Sequence, residues 1–172
     1  AILHEPPILF LDEPTSGVDP IARRQFWDLI RGLAANGVTV LITTHFMDEA
    51  EFCDRIGFIN GGRLVALDPP ADLKRRAVTE DVFEVGLTVW RGAKAAVAAL
   101  DGVEAVAWFG RRLHVFCRRG LYTGDGLRQA LGARGMEAPT VSPVVPSLED
   151  AFIRLTRLAP TEKQSYWVSP LI

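Results

Sequence analysis

The sequence predicts an α/β fold, a parallel sheet followed by a smaller α+β unit. Three observations carry that prediction. First, two short and almost wholly apolar runs, residues 8–11 and 38–42, flank a stretch with apolar residues at helical spacing. Runs without polar interruption suit strands buried on both faces, as in a parallel sheet. Second, Asp12 and Glu13 come directly after the first run, and Pro14 then ends the ladder. That places two carboxylates at the carboxyl end of a buried strand, where open α/β sheets bind ligands. Third, the composition shifts near residues 78–81, and beyond it residues 82–90 alternate like a strand and lead into further strands interleaved with two helical stretches.

In chain order, residues 1–7 read as the end of a helix running into the first strand. Adjacent acids at the end of that strand suit a magnesium–nucleotide site, one holding the metal's shell and the other orienting water. Taken alone, Asp12 and Glu13 fit a solvated acidic turn equally well. Asp19 is placed to cap a helix, with Pro20 in its first turn. Phe26, Leu29, Ile30 and Leu33 form that helix's apolar stripe, and Asn36-Gly37 ends it. Arg23, Arg24 and Arg31 read as its solvated face. Residues 38–44 form the second strand, so strand, helix and strand make a parallel βαβ unit with a right-handed crossover. His45 then falls at the same carboxyl edge as Asp12 and Glu13.

Residues 48–52 start a short helix. Residues 54–60 and 63–67 pair as a hairpin about Gly61-Gly62. No Lys-Ser/Thr comes after those glycines, which favours a turn over a phosphate loop. Residues 71–76 form a short helix. Beyond the change of pattern come a strand (82–90), a helix (93–100), two strands (103–109 and 113–117), a helix (126–131) and a last strand (138–145). The order βαββαβ is that of a small ferredoxin-like module. Ser147 can cap a final helix, with Asp150 reaching back in a capping box. Residues 160–172 show no period and read as a frayed end. The expected divisions are 1–78, 79–158 and 159–172.

The chain has 172 residues, 48% of them hydrophobic, which suffices for a real core and argues against disorder. With 19 basic and 21 acidic residues the net charge is -2, so nothing calls for nucleic acid as a partner. Cys53 and Cys117 have no metal or CxxC spacing and read as reduced packing residues. No apolar run approaches the ~18 residues of a membrane helix, and no signal-peptide pattern is present. His4 and His114 lack any chemical context and read as surface or packing residues.

The order Leu9-Phe10-Leu11-Asp12-Glu13-Pro14-Thr15-Ser16-Gly17-Val18-Asp19, then Thr43-Thr44-His45 and the run His45 to Arg55, resembles the ATP-binding subunit of ABC transporters. The resemblance is close over the first half of the chain and looser beyond it. Through it, residues 9–12 look like the Walker B strand, Glu13 like the catalytic glutamate, Ser16, Gly17 and Asp19 like the D-loop, and His45 like the switch histidine. It implies a partial P-loop NTPase sheet, with ATP and Mg²⁺ as ligands and Asp12 holding the metal through water. It also implies a second nucleotide-binding domain and a membrane permease as partners, at the cytoplasmic face of the plasma membrane. The final helix and the appended module are similar to bacterial exporters of the ABC-2 type. Neither G-x-x-x-x-G-K-[ST] nor Leu-Ser-Gly-Gly occurs, so the expectation is the C-terminal portion of a nucleotide-binding domain, unable to bind ATP tightly alone. Two alternatives remain: a non-catalytic module that binds a permease or regulator, and a piece of a soluble ABC ATPase.

Overall fold

A computed structural model describes residues 2, 5–88, 91–136 and 140–158. Strand β1 (Ile8–Asp12) leads into helix α1 (Pro20–Ala35), and α1 returns to β2 (Thr39–Thr43). The strands run parallel, with Ile8 opposite Thr39 and Asp12 opposite Thr43. Asp19 caps α1 as its spacing predicts: Oδ1 accepts from the amides of Ile21 at 2.9 Å and Ala22 at 3.1 Å. Two predictions about this unit need correction. The helix buries Trp27, 3% exposed, and leaves Leu29 49% exposed, so the inward stripe is rotated by part of a turn. The strands are covered on one face only. Leu9, Leu11, Val40 and Ile42 pack with Trp27 and Ile30 of α1. Ile8, Phe10 and Leu41 on the other face are exposed, Phe10 by 65%, because nothing among the described residues covers them.

Helix α2 (Met47–Ala50) is a single turn, shorter than the predicted 48–52. Strands β3 (Ile56–Asn60) and β4 (Arg63–Asp68) form an antiparallel hairpin with Asn60 opposite Arg63. The two residues between them, Gly61 and Gly62, have φ of 56° and 72°, the left-handed pair that a tight hairpin demands. Helix α3 (Pro70–Ala77) comes next, with Pro70 at its start.

The remaining strands are β5 (Asp81–Gly86), β6 (Val103–Phe109), β7 (Arg112–Cys117) and β8 (Thr140–Val144). They form one antiparallel sheet in the order β6-β7-β5-β8. Strand β5 stops at Gly86, short of the predicted end; positions 89 and 90 lie outside the described residues, as do 138 and 139 before β8. Helices α4 (Ala93–Ala98) and α5 (Gly124–Gly132) cover one face. Val97, Leu100, Leu127 and Leu131 there meet Phe83, Val85, Leu113 and Val115 of the sheet. Helix α6 (Leu148–Leu158) belongs to the other face. Its predicted capping box is formed: the Ser147 amide donates to Asp150 Oδ2 at 2.9 Å, and the Asp150 amide to Ser147 Oγ at 3.1 Å. One apolar cluster there joins Leu148 and Ala151 of α6 to Phe116 and Val82 of the sheet. It continues through Leu73 of α3 and Phe58 of β3 to Ala50, so a shared core spans both sides of residue 78. The predictions for His4 and for residues 160–172 fall outside the described residues.

Candidate active site

The parallel register sets Asp12 beside Thr43 at the carboxyl ends of β1 and β2. The chain then turns sharply at Glu13, whose φ is 44°. A non-glycine residue rarely holds this left-handed conformation, which costs roughly 1–2 kcal/mol unless its surroundings impose it. The restraint comes from β2: the Glu13 amide donates to the Thr43 carbonyl at 3.0 Å and lies 3.3 Å from Thr43 Oγ1. The Thr43 hydroxyl itself donates to Asp12 Oδ1. One threonine thus fixes both acids, a role that sequence reading missed. The available signal was a hydroxyl residue at the end of an apolar strand, immediately ahead of the histidine.

His45 lies two residues beyond Thr43, and its ring reaches back to the other strand's turn. Its Nδ1 is 2.8 Å from Glu13 Oε2, so Nδ1 carries the proton and the carboxylate accepts. The Phe46 ring lies 4.0 Å from the imidazole, centroid to centroid. Asp12, Glu13 and His45 therefore converge on one rim, brought there by β-sheet register and the His45–Glu13 contact. The turn after Glu13 carries the remaining predicted residues. The Ser16 amide donates to the Glu13 carbonyl at 3.1 Å, and the Val18 amide to the Thr15 carbonyl at 3.1 Å. Ser16 and Gly17 are exposed, and Gly17 has a φ of 73°. Asp19 is occupied, in one oxygen at least, as the cap of α1.

A second layer lies beneath the rim. Glu49 is 1% exposed, and its Oε2 accepts from the Thr15 hydroxyl at 2.6 Å. Arg23 Nε lies 3.2 Å from Glu49 Oε1, and its guanidinium sits 4.8 Å above the Phe46 ring. The prediction of a solvated Arg23 is thereby overturned. It stands one helical turn before Trp27, on the inward side of α1.

The rim is open. Two hollows, roughly 470 Å³ beside Pro6 and Leu33 and roughly 940 Å³ beside Lys74 and Val145, lie away from Asp12, Glu13 and His45. Among the described residues, no three His, Cys, Asp or Glu side chains gather as a cation cage. Asp12 offers a carboxylate with one oxygen held by the Thr43 hydroxyl. That suits Mg²⁺, which takes one or two protein carboxylates and completes its shell with phosphate and water.

Comparison with known proteins shows what this chain is similar to. Residues 1–46, which contain the whole β1–α1–β2 unit and its rim, match the family model described as "AAA domain, putative AbiEii toxin, Type IV TA system". Over 81 residues the chain is 57% identical to the "Probable multidrug ABC transporter ATP-binding protein YbhF" of Escherichia coli, covering 47% of this chain and 14% of that protein. Over 159 residues it is 35% identical to the "Nod factor export ATP-binding protein I" of Rhizobium etli, covering 91% of this chain and 47% of that protein. The chain is homologous to ABC transporter ATP-binding proteins. The protein of the same name from Neorhizobium galegae is 36% identical over 159 residues. The chain spans about half the length, or less, of these ABC relatives. The two matches to Nod factor export proteins, at 91% of this chain, extend well beyond the rim into the four-stranded sheet.

Proposed function

We propose that this chain is part of an ATP-hydrolysing subunit of an ABC transporter of the exporter kind. The contact between His45 and Glu13 at the carboxyl rim of a parallel sheet is the observation that carries the reading. Glu13 accepts a proton from the water that attacks the γ-phosphate in line. As the Glu13 carboxylate turns to the water, His45 gives up that contact and donates its Nδ1–H to the developing charge on the phosphate. Asp12, oriented by the Thr43 hydroxyl, would hold the Mg²⁺ ion. The metal, when bound, neutralises the phosphate charge. Ser16, Gly17 and Asp19 face a second nucleotide-binding domain, and their exposure supports that role. The transport and export stated in the relatives' names support a membrane permease as the other partner.

Among the described residues no helix is long and apolar enough to cross a membrane. A peripheral position at the cytoplasmic face of the plasma membrane is consistent with this. The strand order β6-β7-β5-β8 supports a ferredoxin-like accessory domain over residues 79–158, joined to the nucleotide-binding part by the shared core. The 172 residues hold no phosphate loop, so by themselves they bind ATP weakly.

The test is phosphate release by the full-length polypeptide. Glu13→Gln lowers turnover at least about a hundredfold, and His45→Ala does likewise, with nucleotide still bound. Unchanged release in both variants would contradict the assignment.

A further inference from the structure

Glu49 is the most deeply buried acid in the first half of the described chain, at 1% exposure. An ionised carboxylate in such a place costs several kcal/mol unless it is well partnered. Its partners come from three segments. The Thr15 hydroxyl, 0% exposed, belongs to the turn after β1 and donates at 2.6 Å. The Thr44 hydroxyl belongs to the loop after β2 and lies at 3.4 Å. Arg23 belongs to the first turns of α1, with Nε at 3.2 Å from Oε1. The alignment of that last pair gives neither atom a hydrogen bond, so the attraction there is between charges. Arg23 also donates to the Val18 carbonyl at 3.4 Å and lies over Phe46.

These anchors are the immediate neighbours of the reactive pair. Thr15 lies two residues after Glu13, while Thr44 and Phe46 flank His45. Besides the strands and the His45–Glu13 contact, this carboxylate ties the two loops to each other. A purely structural site of this volume could be apolar at little cost. An acid that gathers the hydroxyls beside both reactive residues has a more specific use.

We propose that Glu49 is a positioning residue: through Thr15, Thr44 and Arg23 it sets the distance and orientation between Glu13 and His45. It touches neither substrate nor reacting atoms. This deepens the ATP-hydrolysis reading and rests on it. A displacement of about 1 Å between catalytic groups costs on the order of a hundredfold in rate, so a buried hub four residues from His45 has real leverage.

The test uses the full-length polypeptide with ATP, and separately its nucleotide-free state by nitrogen NMR of the His45 ring. Glu49→Gln keeps the shape but removes the charge that faces Arg23. Thr15→Val removes the hydroxyl, and Thr15→Ser restores it. Glu49→Gln and Thr15→Val should each lower kcat at least tenfold, with KM for ATP within about threefold and the unfolding midpoint nearly unchanged. Thr15→Ser should keep most of the activity, and the double variant should be no worse than either single one. In the NMR arm the wild-type neutral ring carries its proton on Nδ1, and Glu49→Gln shifts it toward Nε2. Arg23→Lys provides the same comparison if Glu49→Gln does not fold. Wild-type turnover with an unchanged His45 spectrum overturns the proposal. So does a rate loss that merely tracks a fall in midpoint, or a Thr15→Ser variant as impaired as Thr15→Val. If the wild type and Glu13→Gln are equally inactive toward ATP, the hydrolysis reading fails instead, and the His45 spectrum alone then decides the positioning role.

Discussion

Glu13 combines at one position a carboxylate at the rim and a backbone bend that L-residues resist. Its φ of 44° persists because the Thr43 carbonyl holds the amide at 3.0 Å. Glycine would relax the bend while adding freedom to the unfolded chain, and the two effects nearly cancel. Glu13→Gly should therefore shift stability by less than about 1 kcal/mol, whereas the β-branched Glu13→Val should cost roughly 1–2 kcal/mol more. Urea denaturation of the two variants checks this; equal midpoints would mean that the left-handed turn is not maintained. Residues whose roles stem from local chemistry were legible in the sequence. Asp19 as a cap, Gly61-Gly62 as a turn and Ser147 with Asp150 as a capping box each need only near neighbours. Arg23 and Glu49 were not, because each sits among like residues that read as solvated. Only the rotation of α1 that buries Trp27 turns Arg23 inward, and only the meeting of two loops buries Glu49.

At the scale of elements, α6 is tied to the four-stranded sheet through its own cap. Asp150, 1% exposed, accepts from His114 Nδ1 of β7 at 2.8 Å while closing the capping box with Ser147. Phe109 of β6 stacks on the His114 ring at 4.2 Å. His114 was expected to be a surface or packing residue; it is a buried, charge-partnered link. Burial pushes the Asp150 carboxyl up, but the hydrogen bonds from His114 and Ser147 and the charge of His114 outweigh it and hold the group below its ordinary value. A depressed carboxylate adds stability that is fully present above the unfolded-state pKa of about 3.9 and is lost as pH falls through the folded value. Asp150→Asn should therefore flatten the stability profile below about pH 4 and weaken α6 throughout. A mutant profile parallel to the wild type in acid would contradict this. Strand positions were largely visible from apolar runs, but the cover over each face was not. The runs at 8–11 and 38–42 show that these strands need burial without showing by what, and one face of β1 and β2 stays open.

For the whole molecule, the cluster from Ala50 through Phe116 to Ala151 makes the two parts share a core. Unfolding monitored at Trp27 in α1 and at Trp108 in β6, in variants retaining one tryptophan each, should give coincident transitions. Two separate midpoints would mean that the shared cluster does not couple the halves. The same scale holds the functional claim, since the rim is assembled by sheet register. The motif order around Asp12, Glu13 and His45 made that rim legible in sequence, because each lies a fixed step past an apolar strand. The most direct test is the fate of ATP on full-length Glu13→Gln protein. After incubation with ATP and Mg²⁺ and rapid gel filtration, the account predicts that the nucleotide retained is uncleaved ATP. Recovery of ADP at the wild-type rate would show that Glu13 does not activate the water.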